Sequence, residues 1–264
     1  MRFNIRPWLA IALIASFSSD ALASIQLGTA GDFAVLAGTT VTNTGPTVIN
    51  GGHVGVSPGS AITGFPPGSV SAPYTFHAAD AVALQAQNDL TTAYNAAAGL
   101  APTQDLTGQD LGGLTLVPGV YFFSSSAGLT GALTLDYQGN PDAEFVFQIG
   151  STLTTASNSS VVGINNGGGL IGCSVFWQVG SSATLGTGTD FAGHILALTS
   201  ITMTTGSSII EGSALARNGA VTLDDNLIEN CVVAPVPEPS TLVVFLFGGG
   251  LALTYYQRKS KPVA

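Results

Sequence analysis

The side chains with the most obvious chemistry in this sequence are three histidines and one pair of adjacent aspartates. His53, His77 and His194 lie far apart, and none has the H-x-x-x-H spacing that binds zinc. We expect His194 to be a capped surface histidine. Asp224 and Asp225 resemble the acid pair of a polysaccharide-cleaving β-helix, but neighbouring residues of a strand point to opposite sides. Because the sequence also lacks a nucleophile elbow and a P-loop, it predicts neither an enzyme nor a protein with a metal or cofactor.

The N-terminal segment, residues 1–23, has the features of a secretory signal peptide. Arg2 and Arg6 precede an apolar core, and Ala21-Leu22-Ala23 forms an A-x-A cleavage site. An uncleaved membrane anchor is the alternative, although the apolar core is short for one. We therefore expect residues 1–23 to be removed and the mature chain to begin at Ser24.

Two cysteines, Cys173 and Cys231, lie in the part of the chain that we expect to be exported. In an oxidising compartment the default prediction for such a pair is a disulfide. This bond would tie the C-terminal strand back to the body of the protein, whereas two free thiols are the alternative. There is no C-x-x-C motif, so a zinc or thioredoxin-like site has no support.

Charge is scarce in the central region. Between residues 24 and 235 there are thirteen acidic side chains, and Arg217 is the one basic side chain. Nucleic-acid binding requires clustered Lys and Arg to replace counterions, so this balance excludes a nucleic-acid partner. The hydroxyl groups of Thr and Ser must instead provide most of the solvent-exposed polar surface.

Short segments repeat at a regular interval between Ser182 and Asn230. A period of about 20 residues predicts a solenoid, because each copy is too short to bury its own apolar side. The hairpins of a β-sandwich are the alternative, but sandwich strands do not repeat a whole line of side chains in register. The three clearest copies are Thr184-Leu185, Thr202-Met203 and Thr222-Leu223. Weaker matches join Ala132–Leu135 to Ser151–Thr154 and Phe147–Ser151 to Trp177–Ser181. We expect one apolar residue of each copy to form a buried ladder: Leu135, Leu153, Leu185, Met203 and Leu223.

One segment before these repeats has helical rather than β character. Residues 76–98 contain no Gly or Pro, and an apolar stripe recurs with a period of about 3.6 residues. Gly99 and Pro102 mark its end. We predict one helix that packs along the side of the solenoid, through Ala79, Val82, Ala83, Ala86, Leu90, Ala93, Tyr94 and Ala97.

Small hydroxyl side chains recur at the same point of successive repeats. The segments are Thr155–Asn158, Thr187–Asp190 and Thr205–Ser208. Stacked coils lie about 4.8 Å apart and permit an unusually flat sheet, so an uncharged grid of Thr and Ser can order a layer of water. The alternative is that these residues only cover a β surface. The residues predicted to form the grid are Thr155, Ser157, Asn158, Thr187, Thr189, Asp190, Thr205, Ser207 and Ser208.

The C-terminal segment, residues 236–264, has an unusual order of motifs. Pro237-Glu238-Pro239 is followed by an apolar run and then by a basic tail. This order resembles the PEP-CTERM sorting signal of Gram-negative bacteria. The resemblance implies membrane insertion, processing near Pro237, Glu238 and Pro239 by an exosortase-type transpeptidase, and release or attachment at the cell surface. A plain C-terminal membrane anchor is the alternative.

Residues 26–230, within the predicted solenoid domain 24–235, resemble the microbial ice-binding (antifreeze) family. The resemblance is carried, in order, by Gly31–Ala37, Val54–Gly59, the Ala-rich helix, Leu116–Tyr121, Val175–Gly180, Thr184–Gly188 and Ala214–Ala216. It implies a mainly β fold: a right-handed discontinuous β-solenoid (β-helix) of triangular section with one long α-helix packed alongside. Members often carry a T-A/G-x-T/N motif on the ice-binding side, which Thr155-Ala156-Ser157-Asn158 matches fully.

The function implied by this resemblance is that of an exported, non-enzymatic protein that adsorbs to ice through a flat Thr/Ser-rich face. A cell-surface or biofilm matrix protein, with the same solenoid adhering to exopolysaccharide, is the alternative.

Overall fold

The structure is a computed structural model that describes residues 24–231. The predicted signal peptide (1–23) and the predicted sorting segment (236–264, with Pro237, Glu238 and Pro239) lie outside the described residues. Within 24–231, no helix combines the length and apolar character that crossing a bilayer requires.

The described chain is a solenoid of parallel strands with three faces. The helix-side face contains β1 (Phe33–Ala37), β4 (His53–Val56), β7 (Phe76–Ala78), β8 (Gln104–Asp105), β10 (Gly119–Phe123), β13 (Phe145–Ile149) and β16 (Val175–Val179). The threonine face contains β2 (Thr40–Thr44), β5 (Ala61–Thr63), β11 (Ala127–Leu129), β14 (Leu153–Thr155), β17 (Ala183–Leu185), β19 (Ile201–Met203) and β21 (Val221–Asp224). The third face contains β3 (Val48–Asn50), β6 (Ser69–Val70), β9 (Thr115–Leu116), β12 (Ala132–Asp136), β15 (Ser160–Ile164) and β22 (Leu227–Glu229). Strands β18 (Asp190–Ala197) and β20 (Ser208–Ala216) run from the third face around a corner to the helix-side face, so these two faces form one continuous sheet.

The order of coils in space differs from their order in the sequence. β1 pairs with β20 and β4, and β2 pairs with β21 and β5. The coil at residues 33–50 therefore lies between the last coil, residues 213–229, and the coil at 53–70. This arrangement is the discontinuous solenoid that the sequence predicts.

Besides a short 3-10 helix at Gly28–Asp32, the one α-helix within residues 24–231 is α1 (Ala81–Gly99), which connects the two ends of the stack. Its 19 residues span about 28 Å, which is close to the length of six steps of about 4.8 Å between coils. The helix begins later than predicted, because Phe76–Ala78 forms β7 and the Asp80 carboxylate caps the helix by accepting a hydrogen bond from the Ala83 N–H at 2.8 Å. Of the predicted apolar stripe, Ala79 precedes the helix and Val82 is exposed, whereas the other six residues are buried.

Two apolar layers hold the elements together. Inside the solenoid, aromatic side chains stack in register from coil to coil: the Phe147 and Trp177 rings are 3.9 Å apart and nearly parallel, as their strand pairing requires. Outside it, the alanines of α1 lie on outward-facing apolar residues such as Phe176, Leu196 and Leu215. Gln148 joins the two layers, since its side-chain amide donates to the carbonyls of Ala97 and Leu100 at 2.7 and 2.8 Å.

The register confirms most of the predicted repeats and corrects two. Thr184-Leu185 pairs with Thr202-Met203 as predicted, and Phe147–Ile149 pairs with Trp177–Val179. Leu153, however, pairs with Ala183 rather than with Leu185. The match of Ala132–Leu135 to Ser151–Thr154 is wrong, because β12 lies on the third face and β14 on the threonine face. Both segments alternate leucine with threonine, so sequence similarity alone could not show that they lie on different faces.

The predicted disulfide between Cys173 and Cys231 is present, with the two Cα atoms 5.6 Å apart. Cys173 lies in the loop between β15 and β16. This loop is held by Glu211, whose carboxylate accepts hydrogen bonds from the N–H groups of Ile171 and Gly172. Glu211 has φ +53° and lies at a register shift between β18 and β20, so this bulge directs its carboxylate to the loop.

Candidate functional site

The most regular feature of the surface is a row of threonines on the outside of the threonine face. Strand register places six of them side by side on neighbouring strands: Thr154, Thr184, Thr202, Thr222, Thr42 and Thr63. Their neighbours in the sequence, such as Leu153, Ala183 and Ile201, are buried, which turns every threonine outward. We call this set the threonine row.

Further polar side chains flank the threonine row on both sides. Ser182, Ser200 and Thr40 lie two residues before its members, and Thr204 and Thr44 lie two residues after them. Neighbouring positions are about 4.8 Å apart across strands and about 6.7 Å apart along a strand. The face is therefore a two-dimensional grid of short hydroxyl side chains.

The grid contains one ionisable side chain. Among the residues of its seven strands, Asp224 alone is charged, and it pairs in register with Thr44. Its carboxylate accepts a hydrogen bond from the Thr205 hydroxyl. Lys and Arg are absent from these strands, so no long flexible side chain stands above the hydroxyls.

Four residues of the predicted grid are buried, so the prediction that places them on an outer face is wrong. These residues are Thr155, Thr189, Ser207 and Ser208. The Thr155 and Thr189 hydroxyls are hydrogen-bonded to each other at 2.8 Å, and the Ser207 hydroxyl donates to the Thr204 carbonyl at 2.9 Å. The physical reason is the register: Thr155 occupies the inward position that Leu185 occupies in the next coil. The hydroxyls of Thr155, Thr189 and Ser207 bond backbone groups of the corner, whereas the Ser208 hydroxyl donates to the Asp190 carboxylate.

The other five predicted residues are exposed but lie in two places. Ser157, Thr187 and Thr205 lie at the corner beside the threonine face, and the Thr187 hydroxyl is 3.4 Å from that of Thr204. Asn158 lies at the same corner with φ +58°. Asp190 lies on the third face, where it pairs with Ser160 and with Ser208.

The sequence contained the signal for the residues that the prediction missed. The repeat Thr184-Leu185, Thr202-Met203 and Thr222-Leu223 assigns Leu and Met to the core, and in a strand the preceding residue must then face outward. Ser182 belongs to this face as well, because it directly precedes β17.

His194 is buried, which corrects the prediction of a surface histidine. Its ring stacks on Phe176 with centroids 5.4 Å apart, and its Nδ1 lies 2.8 Å from the Ser213 hydroxyl. Burial lowers the pKa of His194 to about 4, although a hydrogen bond with the Cys173 backbone opposes this in part. The imidazole is thus neutral in the folded protein at neutral pH.

This burial predicts a loss of stability on acidification. The folded-state pKa lies below the unfolded value near 6.5, so the unfolded chain binds a proton first as the pH falls. We expect the free energy of unfolding to fall by about 3 kcal/mol between pH 6.5 and 4. Urea titrations at several pH values, on the parent and on His194→Gln, measure this. An equally steep loss in His194→Gln would contradict the assignment to His194.

These features define a class: a three-faced parallel β-solenoid with a helix along one side and, on another, a threonine grid with a single charged side chain. Residues 35–229 match the family described as ice-binding-like, and the chain belongs to this family. The family is not known as one of enzymes. Residues 235–259 match the PEP-CTERM protein-sorting motif, which indicates export to the cell surface or beyond it.

Individual relatives agree with this assignment. The chain is 57% identical over 259 residues to an ice-binding protein of Nostoc sp. (strain HG1), covering 95% of this chain and 94% of the relative. It is 33% identical to an ice-binding protein of Colwellia sp, covering 78% and 83%. The crystal structure of an ice-binding protein from the Antarctic ascomycete Antarctomyces psychrotrophicus superposes with a TM-score of 0.73 at 42% identity, covering 78% of this chain and 98% of that one.

Proposed function

We propose that this protein is an exported ice-binding protein that adsorbs to ice through the threonine face. The observation that carries the proposal is the threonine row, six in-register threonines on neighbouring parallel strands. The exposed corner residues Ser157, Thr187 and Thr205 extend the same surface.

The proposed mechanism depends on ordered water. Each threonine offers a hydroxyl that anchors a water molecule and a methyl group that shapes the water around it. Because the stacked strands hold these groups at fixed spacings, water on the face is ordered before it meets ice. Adsorbed molecules then make the ice front curve between them, and a curved front is unfavourable to extend.

The path to the cell exterior belongs to the same proposal. We infer that residues 1–23 act as a signal peptide, that residues 236–264 insert in the membrane, and that an exosortase-type enzyme processes the chain near Pro237-Glu238-Pro239. The relatives named above are ice-binding proteins, which gives no support to the alternative of a matrix protein that adheres to exopolysaccharide.

Asp224 provides a test of which face is used. The charged carboxylate disorders the water layer over the grid, so Asp224→Thr should strengthen adsorption to ice. We expect recrystallisation inhibition at a concentration lower by about threefold, equivalent to roughly 0.7 kcal/mol. A splat-cooling assay over a dilution series measures this concentration.

Asp190→Thr is the matched control, since it makes the same change on the third face. It should leave the inhibitory concentration unchanged. If Asp190→Thr strengthens inhibition and Asp224→Thr does not, the active surface includes the third face instead.

A further inference from the structure

Glu144 is a half-buried carboxylate beside the first described residues of the chain. The backbone N–H of Ile25 donates to its Oε1 at 3.4 Å. Burial raises the pKa of Glu144, and hydrogen bonds from the Ile25 backbone and the Ser24 side chain lower it in part. The contacts of Glu144 with this segment are thus favourable but do not fully offset its dehydration.

No basic side chain among residues 24–231 compensates this carboxylate. Arg217 is the one Lys or Arg in that range, and its guanidinium lies 4.6 Å from the centroid of the Tyr94 ring. Its Nε also donates to the Thr91 hydroxyl, so it belongs to the surface of α1. A half-buried carboxylate without a cation is a costly feature unless something else supplies the positive charge.

The covalent geometry of the chain brings one such charge within reach. Adjacent backbone nitrogens are at most about 3.7 Å apart, so the nitrogen of Ser24 lies within about 7 Å of Oε1. A cavity of about 390 Å³, lined by Ser24, Glu144, Asp142 and Phe176 among others, leaves room for it to turn toward the carboxylate. While the chain continues to residue 23, that nitrogen is an uncharged amide.

We propose that Glu144 is the binding site for the α-ammonium group that is created at Ser24 when residues 1–23 are removed. Cleavage of the Ala23–Ser24 peptide bond by water leaves a carboxylate on Ala23 and an ammonium group on Ser24. That ammonium group forms an ion pair with Glu144, and the exported protein becomes more stable than its precursor.

The ion pair would stabilise the N-terminal segment, residues 24–32, which packs under α1. Ile25 and Ala30 are buried in the apolar layer under α1. Thr29 holds the other end of the segment, since its N–H donates to Asp89 at 2.8 Å. With Ser24 fixed to Glu144, residues 24–32 are anchored at both ends, to α1 and to the solenoid.

The test compares chains of residues 24–264 and 21–264, each with Glu144 and with Glu144→Gln. We expect the chain that starts at Ser24 to melt about 3 °C higher than the chain that starts at Ala21, and this difference to disappear in Glu144→Gln. The difference should also disappear above about pH 9, where the α-amino group loses its proton. Asp190→Asn, on the third face, is the control for the change in net charge, and it should preserve the difference.

Two results would overturn the proposal. One is the same melting difference with Glu144 and with Glu144→Gln, because the extension would then act without the ion pair. The other is N-terminal sequencing of the exported protein that finds a first residue other than Ser24. The proposal rests on the removal of residues 1–23 that is inferred above, which N-terminal sequencing tests. The melting comparison depends neither on that removal nor on ice activity, so its failure is distinguishable from a failure of the proposed function.

Discussion

Thr202→Tyr is expected to remove most of the ice activity and to leave the fold intact. Thr202 lies in the middle of the threonine row, between Thr184 and Thr222 on the neighbouring strands. A tyrosine ring there stands above the hydroxyl grid and keeps both neighbours away from a flat ice surface. We expect recrystallisation inhibition to weaken by at least about tenfold, a loss of roughly 1.4 kcal/mol in adsorption. The melting temperature should change little, because surface substitutions usually shift stability by about 0.5 kcal/mol.

Thr134→Tyr is the matched control for this experiment. Thr134 is also an outward-facing strand threonine, but β12 places it on the third face, in register with Thr115 and Val162. The activity of this variant should equal that of the parent. Full activity in Thr202→Tyr together with a loss in Thr134→Tyr would show that the ice-binding surface is the third face.

Removal of the disulfide is expected to have the largest effect on stability. Cys173 and Cys231 close a loop with a sequence separation of 58 residues. The chain-entropy estimate for such a loop is about 4 kcal/mol. In a domain of this size, that corresponds to a fall in melting temperature of roughly 10 °C. Differential scanning calorimetry of the double variant Cys173→Ala/Cys231→Ala measures the fall.

The disulfide variant should retain its ice activity near the freezing point, because neither cysteine lies on the threonine face. Intact mass with and without reductant establishes the bond in the parent protein. Two alkylatable thiols in the unreduced protein, or an unchanged melting temperature in the double variant, would contradict this account.

Much of the fold could be predicted because a solenoid repeats its side-chain pattern. The in-register copies at Leu185, Met203 and Leu223 follow from their regular spacing along the chain, and the helix follows from an Ala-rich stripe. Two segments that carry the family resemblance, Gly31–Ala37 and Val54–Gly59, overlap strands β1 and β4.

The exact face was harder to predict, because register depends on corner geometry. Leu153 pairs with Ala183 rather than with Leu185, a difference of two residues in register. Such a difference keeps alternate side chains on the same side of the strand, so the sequence pattern alone did not show that Thr155 occupies the core position of Leu185 in the next coil. His194 was missed for another reason. Its burial depends on Phe176 and Ser213 in neighbouring coils, and no local pattern around residue 194 reports these contacts.

The most direct measurement of the central claim is nanolitre osmometry of the purified chain from Ser24 onward. If the threonine face binds ice, crystals in this solution should grow as faceted shapes, and growth should stop over a measurable interval below the melting point. Round, unshaped crystals without such an interval at millimolar protein concentration would contradict the claim that this protein binds ice.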